Sequence, residues 1–166
     1  KIILKRLKIF LLVLRQNSNF FKTPVFPKNM YDVIIVGAGA AGLTAAIYTC
    51  RKKLKTLILS IDVGGQTNLT SHIENYPGTG PMHGIELMRR FQDEAIGFGA
   101  ELVMGKAVKV DKIENGFRVT LANNESYDCK ALILAYGKVP KSLGIEGEEK
   151  FLGRGVSTCV TCDAPL

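Results

Sequence analysis

The sequence predicts an α/β fold, a parallel sheet with helices and an added β-hairpin or meander, on three observations. Tyr31-Asp-Val-Ile-Ile-Val36 is a short apolar run that stops at a glycine. Residues 40–53 follow with helical periodicity, placing Leu43, Ala46, Ile47 and Cys50 on one face. Thr56-Leu-Ile-Leu59 is a second apolar run. Runs of this length read as buried parallel strands, and strand–helix–strand is the unit from which α/β domains are built.

The remaining elements follow in order. Residues 61–80 are rich in Gly, Asn, Thr and Pro and read as a structured loop. Pro81 opens a helix at its first turn, where its missing N–H is no loss. Ile85, Met88, Phe91, Ala95 and Ile96 continue that helix to Gly97. Strands are expected over 101–104, 107–113 and 117–121, with Asn115-Gly116 as a hairpin turn. A turn at Asn123-Asn124 leads to a strand over 126–129, and Ala131-Leu-Ile-Leu-Ala135 is a further buried strand. Residues 138–156 read as a Gly-, Pro- and Glu-rich linker.

A chain of 166 residues holds about one domain. The net charge of +7 suggests nucleic acid until it is located. Residues 1–29 carry seven Lys and Arg and no acid, and the rest carries 15 of each sign. The basic character belongs to the N-terminal segment, and a nucleic-acid partner is not expected. Four cysteines are too few for a disulfide-stapled scaffold.

Three readings of residues 1–29 compete. The first is a non-native or disordered extension of the kind AT-rich upstream DNA encodes, with Met30 as the natural start. The second is a surface-lying amphipathic helix with Ile3, Leu7, Phe10, Leu11 and Leu14 on one face. The third is a targeting segment. The apolar run Ile9–Leu14 is too short for a membrane span, and a membrane partner is not expected.

Two motifs carry chemistry. Gly37-Ala38-Gly39-Ala40-Ala41-Gly42 sits between a strand and a helix, the context that gives GxGxxG its meaning. Gly37 permits the tight turn, Gly39 lets the backbone approach a pyrophosphate, and Gly42 lets helix and strand pack closely. The helix N-terminus offers free N–H groups to phosphates. The acidic ribose ligand expected about 20 residues on is replaced by Ser60 at the end of the second strand, with Asp62 two residues later. The other motif is Cys159-Val-Thr-Cys162, two thiols able to close a small reducible ring. Half a zinc site is the rival reading, but no second close pair of ligands exists, and no metal is expected. Asp163 is placed to move protons to and from the thiols, or is a solvated acid. Cys50 and Cys129 read as inert buried thiols, and His72 and His83 as surface residues.

Five segments come in a recognisable order: Tyr31–Gly42, Gly64-Gly65-Gln66, Glu74-Asn75-Tyr76-Pro77-Gly78, Ala135-Tyr136-Gly137 and Gly153–Asp163. Together they resemble the low-molecular-weight thioredoxin reductases of archaeal and bacterial type, over residues 30–166. The resemblance implies a Rossmann-like FAD-binding domain over 30–150, incomplete without a C-terminal return segment, and the start of an NADPH domain over 151–166. It implies an FAD- and NADPH-dependent homodimeric oxidoreductase of the cytoplasm that reduces thioredoxin or a similar small disulfide protein. Electrons would pass from NADPH to FAD, to the Cys159–Cys162 disulfide, and on to thioredoxin.

The same resemblance assigns the FAD pyrophosphate to Gly37–Gly42. It assigns the flavin and ribityl chain to Gly64, Gly65, Gln66 and Asn75, the adenine to the strand near Val108, and a strand end close to FAD to Ala135 and Gly137. Ser60, Ile61 and Asp62, at the end of the second strand, are the candidates for the adenosine ribose. Cys159, Cys162 and Asp163 are the implied catalytic residues. Tyr136 departs from the family's usual Thr. No second GxGxxG follows Cys162, so the NADPH site is expected to be absent from this chain. The alternative is a non-catalytic fragment that binds FAD or another dinucleotide.

Overall fold

The structure, a computed structural model, describes residues 12–15, 30–139, 141–152 and 154–157. Its elements are β1 (Leu12–Arg15), β2 (Tyr31–Ala38), α1 (Ala40–Arg51), β3 (Thr56–Val63), α2 (Gly84–Gly97), β4 (Glu101–Met104), β5 (Ala107–Ile113), β6 (Gly116–Leu121), β7 (Ser126–Leu134) and α3 (Glu148–Phe151). One sheet runs in the order β4-β3-β2-β7-β6-β5, with β1 added on β7. The strands β4, β3, β2 and β7 are parallel, and β6 and β5 form an antiparallel meander on β7. The α/β expectation is met, including the added meander.

Alternation of side chains along the parallel strands builds a core on each face of the sheet. Val33 and Ile35 of β2, Ile58 of β3 and Ile133 of β7 pack on one face with Leu43, Ala46 and Cys50 of α1 and Ala95 of α2. Ile34, Leu57, Leu59 and Leu132 point to the other face, where Phe117, Val119 and Leu121 of β6 cover them. Among the described residues, the meander is what covers that side.

Several expectations are corrected. Residues 126–129 and 131–135, read as two strands, join into the single strand β7, which ends at Leu134. Its first half pairs with β6, and its second half pairs with β2 from Cys129 onward. The hairpin loop between β5 and β6 is Glu114-Asn115, because Ile113 already pairs with Gly116. Gly116 is required by a different contact: a Cβ there would stand 2.0 Å from the Cys129 carbonyl oxygen. Pro81 does not open the second helix. Met82 forms a bridge with Ile73, and α2 starts at Gly84 behind His83. The buried stripe of α2 is Gly84, Leu87, Met88 and Ala95, while Ile85 and Ile96 are exposed. The true stripe lies about one residue around the helix from the expected one. The linker contains one helical turn, α3.

The N-terminal segment also contributes to the sheet. Leu12–Arg15 is extended, not helical, and pairs antiparallel with Leu134–Ala131. The reason lies in β7. The β6 ladder ends at Cys129, leaving the next residues of β7 with backbone groups that need partners. Among the described residues, no helix is long and apolar enough to cross a membrane.

Candidate functional site

The site is built where strand order diverges. β2 lies between β3 and β7, and the chain leaves β2 toward α1 on one face. In open α/β sheets the crevice at such carboxyl ends is where ligands bind. Three segments meet there: the Gly37–Gly42 turn, the corner after β3, and Ala135-Tyr136-Gly137 after β7.

The three glycines of the turn do different things. Gly37 has φ +107°, and a Cβ there would lie 2.3 Å from the Ala135 carbonyl oxygen. It lets the end of β2 pass against the end of β7. Gly42 is buried in α1, and a Cβ would lie 1.8 Å from the Gly37 carbonyl oxygen and 3.4 Å from Ile35 Cγ2. It lets the helix sit on the strand. Gly39 has φ −78°, which any residue adopts, and a Cβ would meet nothing nearer than the Gly64 carbonyl oxygen at 3.9 Å. No contact within the described protein requires a glycine at 39. It is also the N-cap of α1, without a side-chain cap and with no acid in the first turn. The first N–H groups of α1 are therefore available to an anion.

Hydrogen bonds hold this turn to the end of β3. Ala38 N–H donates to Ser60 Oγ at 3.0 Å, and Gly64 N–H donates to the Ala38 carbonyl at 2.8 Å. Ser60 is buried, and its carbonyl accepts from Gly105 N–H at 2.8 Å. Its hydroxyl oxygen is thus an acceptor for the protein's own turn. Asp62 is exposed and accepts from Gly65 N–H at 3.2 Å. Ile61, between them, points outward and is 67% exposed.

The corner after β3 is Gly64 with φ +101° and Gly65 with φ +53°, followed by a 3₁₀ turn over Gly65–Leu69. Gln66 is exposed on that turn. α2 begins directly against it, since a Cβ on Gly84 would lie 1.9 Å from the Thr67 carbonyl oxygen. Asn75 is exposed in the loop that the Ile73–Met82 bridge closes and that Tyr76 anchors edge-on to Phe91 at 5.7 Å. Val108 is the extra residue where the β5–β6 register shifts between Ala107 and Lys109, and it is exposed. Ala135 N–H donates to the Val36 carbonyl at 2.7 Å, Tyr136 is exposed beside it, and Gly137 has φ +72°.

The structure thus brings together Gly37–Gly42, Ser60, Asp62, Gly64, Gly65 and Ala135. Gln66 follows Gly65 on the same turn with its side chain exposed, and among the described residues no side-chain hydrogen bond ties Gln66 or Asn75 to that group; Val108 lies apart on β5. Cys159, Cys162 and Asp163 lie outside the described residues. Asn68 was missed by the sequence reading. Its Nδ2 donates to the Val63 carbonyl at 2.6 Å, and its side chain lies against Gly64. The one available signal was an Asn three residues after the Gly64-Gly65 corner, and Asn is common in turns for many reasons.

The other two cysteines are buried. Burial pushes the Cys129 thiol up to about 12, against a weaker opposing hydrogen bond from Ile34 N–H. At the opposite end of the sheet, Asp32 takes a 2.6 Å hydrogen bond from Lys130 Nζ and one of 2.8 Å from Lys55 N–H. Burial works to raise its pKa, but these partners prevail and hold it below the ordinary carboxylate value. Burial, and then a 2.7 Å hydrogen bond to Glu101 Oε2, raise the Tyr31 phenol to about 12.

Residues 31–166 match the family model "Pyridine nucleotide-disulphide oxidoreductase". A thioredoxin reductase of Aquifex aeolicus is 45% identical over 140 residues, covering 83% of this chain and 43% of that protein. One from Treponema pallidum is 44% identical over 138 residues, with 82% and 45% coverage. Among solved structures, thioredoxin reductase from Streptococcus pyogenes superposes with a TM-score of 0.72 at 37% identity, covering 81% of this chain and 44% of that one. The chain spans a little under half the length of these relatives. It belongs to the pyridine nucleotide-disulphide oxidoreductase family, and within that family it is similar to the low-molecular-weight thioredoxin reductases.

Proposed function

We propose that the chain carries the FAD-binding part of an NADPH-dependent disulfide reductase that acts on thioredoxin or a similar small disulfide protein in the cytoplasm. The observation that carries this reading is Gly39. Packing explains Gly37 and Gly42, but nothing among the described residues needs a glycine at 39. The space a side chain would fill there opens on the free N-terminus of α1. A dianionic pyrophosphate fits that combination: backbone close approach, N–H donors and the positive end of a helix.

In this reading Gly37–Gly42 hold the pyrophosphate and the Gly64–Gly65 corner forms the facing wall. Gln66 and Asn75 extend along the flavin and ribityl chain. Ser60 fixes the turn through Ala38, and its hydroxyl proton is free to donate to a ribose oxygen. Ile61, Asp62 and Val108 line the adenosine end, with Ala135 and Gly137 as the adjoining wall. When bound, FAD supplies two-electron transfer between NADPH and a disulfide. Breaking the Cys159–Cys162 bond takes two electrons and two protons, and Asp163 is the group that delivers protons to the thiols. The complete reaction, the NADPH site and the homodimer belong to a protein of the relatives' full length.

The test is a titration of the purified full chain with FAD, followed by flavin fluorescence and the visible spectrum. Saturable binding that weakens at least tenfold in Gly39→Ala supports the reading. Equal FAD binding by Gly39→Ala and the unaltered chain overturns it.

A further inference from the structure

We propose that Asn68 is a positioning residue for the proposed FAD site, acting through Gly64; the inference rests on the FAD reading. Asn68 Oδ1 is buried, and among the described residues it is the sole buried side-chain N or O atom with no hydrogen-bond partner. A buried acceptor without a donor is unfavourable, and an apolar residue of similar size would avoid the cost. Its placement shows what the amide does.

The amide occupies the space where a side chain on Gly64 would be. A Cβ on Gly64 would lie 2.1 Å from Asn68 Oδ1, 2.7 Å from Cγ and 2.8 Å from Nδ2. The other end of the amide is fixed by the 2.6 Å hydrogen bond from Nδ2 to the Val63 carbonyl. Asn68 therefore grips the chain on both sides of the bend, holding the Val63 carbonyl and backing the Cα of Gly64. Gly64 has φ +101°, a conformation with little intrinsic preference over its alternatives even for glycine.

Gly64 in turn touches the phosphate turn twice. Its N–H donates to the Ala38 carbonyl at 2.8 Å, and its carbonyl oxygen is the nearest atom to the open side of Gly39. The line of contact runs Asn68, Gly64, Ala38 and Gly39. A loosened Gly64 leaves the wall facing Gly39 undefined, while neither hydrophobic core includes Asn68. The expected consequence is a loss of ligand affinity larger than the loss of fold.

The experiment uses the full chain with Asn68→Ala and Asn68→Asp. Aspartate keeps the shape and an acceptor but cannot donate to Val63. FAD affinity is measured by flavin fluorescence, fold by thermal melting, and the corner by amide hydrogen exchange at Gly64 and Gly65 without FAD. The expected result is FAD binding weakened at least tenfold in both variants. Exchange should be faster at Gly64 and Gly65 but unchanged in the β2 and β3 ladders. In the Gly39→Ala background, Asn68→Ala should have a smaller effect than alone, because both act on one wall. Unchanged FAD affinity, or a full additive effect in the double variant, overturns the proposal. If the unaltered chain binds no FAD, the FAD reading fails by itself. The positioning role is then decided by exchange alone: unchanged exchange at Gly64 and Gly65 in Asn68→Ala overturns it.

Discussion

Two alanine substitutions three positions apart, at Gly42 and Gly39, should separate folding from binding. In Gly42→Ala the new methyl would sit 1.8 Å from the Gly37 carbonyl oxygen, so α1 and β2 must part by about 1.2 Å to reach the shortest tolerable contact. Ile35 Cγ2, 3.4 Å away on the same side, belongs to a fully buried side chain and gives little room. Overpacking of this kind costs about 1–3 kcal/mol, and the rigid neighbours put Gly42→Ala near about 3. For a chain of this size that lowers Tm by about 6–12 °C. In Gly39→Ala the methyl meets nothing within 3.8 Å and φ is already −78°. Only the weaker N-cap preference of alanine remains, about 0.5–1 kcal/mol, or about 1–4 °C. The same methyl intrudes where a pyrophosphate must approach, and a tenfold loss of FAD affinity is about 1.4 kcal/mol. Thermal melting by circular dichroism and FAD titration, run on the same preparations, give both axes. If Gly39→Ala melts as low as Gly42→Ala, the division of labour among the three glycines is wrong.

Further outcomes are expected. Ser60→Ala removes the acceptor of a buried N–H, and should destabilise by about 1–3 kcal/mol in denaturant titration, because Ala38 N–H is left unpaired. The Tyr31 pKa is raised in the folded state, so its contribution is full below about pH 10 and is lost as pH climbs toward about 12. Tyr31→Phe should flatten that alkaline loss in melts recorded from pH 8 to 12. The Asp32 pKa is lowered, so its contribution is present above the ordinary carboxylate range and is lost on acidification below about pH 4. Asp32→Asn should remove that part of the acid transition. Cys50 and Cys129 should be silent to a thiol reagent at pH 8 until the chain unfolds, which counting reacted thiols with and without denaturant checks. The exposed, bidentate Arg118–Asp128 pair, at 2.7 and 2.8 Å, should matter little, with Asp128→Asn costing at most about 1 kcal/mol.

Where the sequence was legible, a single local rule governed the outcome. β2, α1 and β3 follow from apolar runs and one helical stripe, and the tight turn between them from GxGxxG. The rest depended on partners remote in the chain. Gly116 reads as a turn residue beside Asn115, yet it is glycine because the Cys129 carbonyl presses on it from β7. The joining of 126–129 and 131–134 into one strand is invisible locally, since its halves have different outer neighbours. The α2 stripe was misjudged because Ile85 is as apolar as Leu87. Only the position of α1 and of the 3₁₀ turn decides which one is covered. At the candidate site, the glycines were legible and Asn68 was not, because its role lies in the space it denies to Gly64.

β1 has a practical consequence for anyone preparing the protein. A fragment cut at Met30 keeps every residue of the described hydrophobic clusters, since all of them lie from Met30 onward. It loses the strand that covers Ala131–Leu134, an apolar stretch whose backbone groups would then face solvent. An uncovered edge of that kind invites pairing between molecules. Self-association of such a shortened fragment would report the missing cover on β7. It should not be read as the natural quaternary state, and the shortened form is the wrong one in which to count subunits.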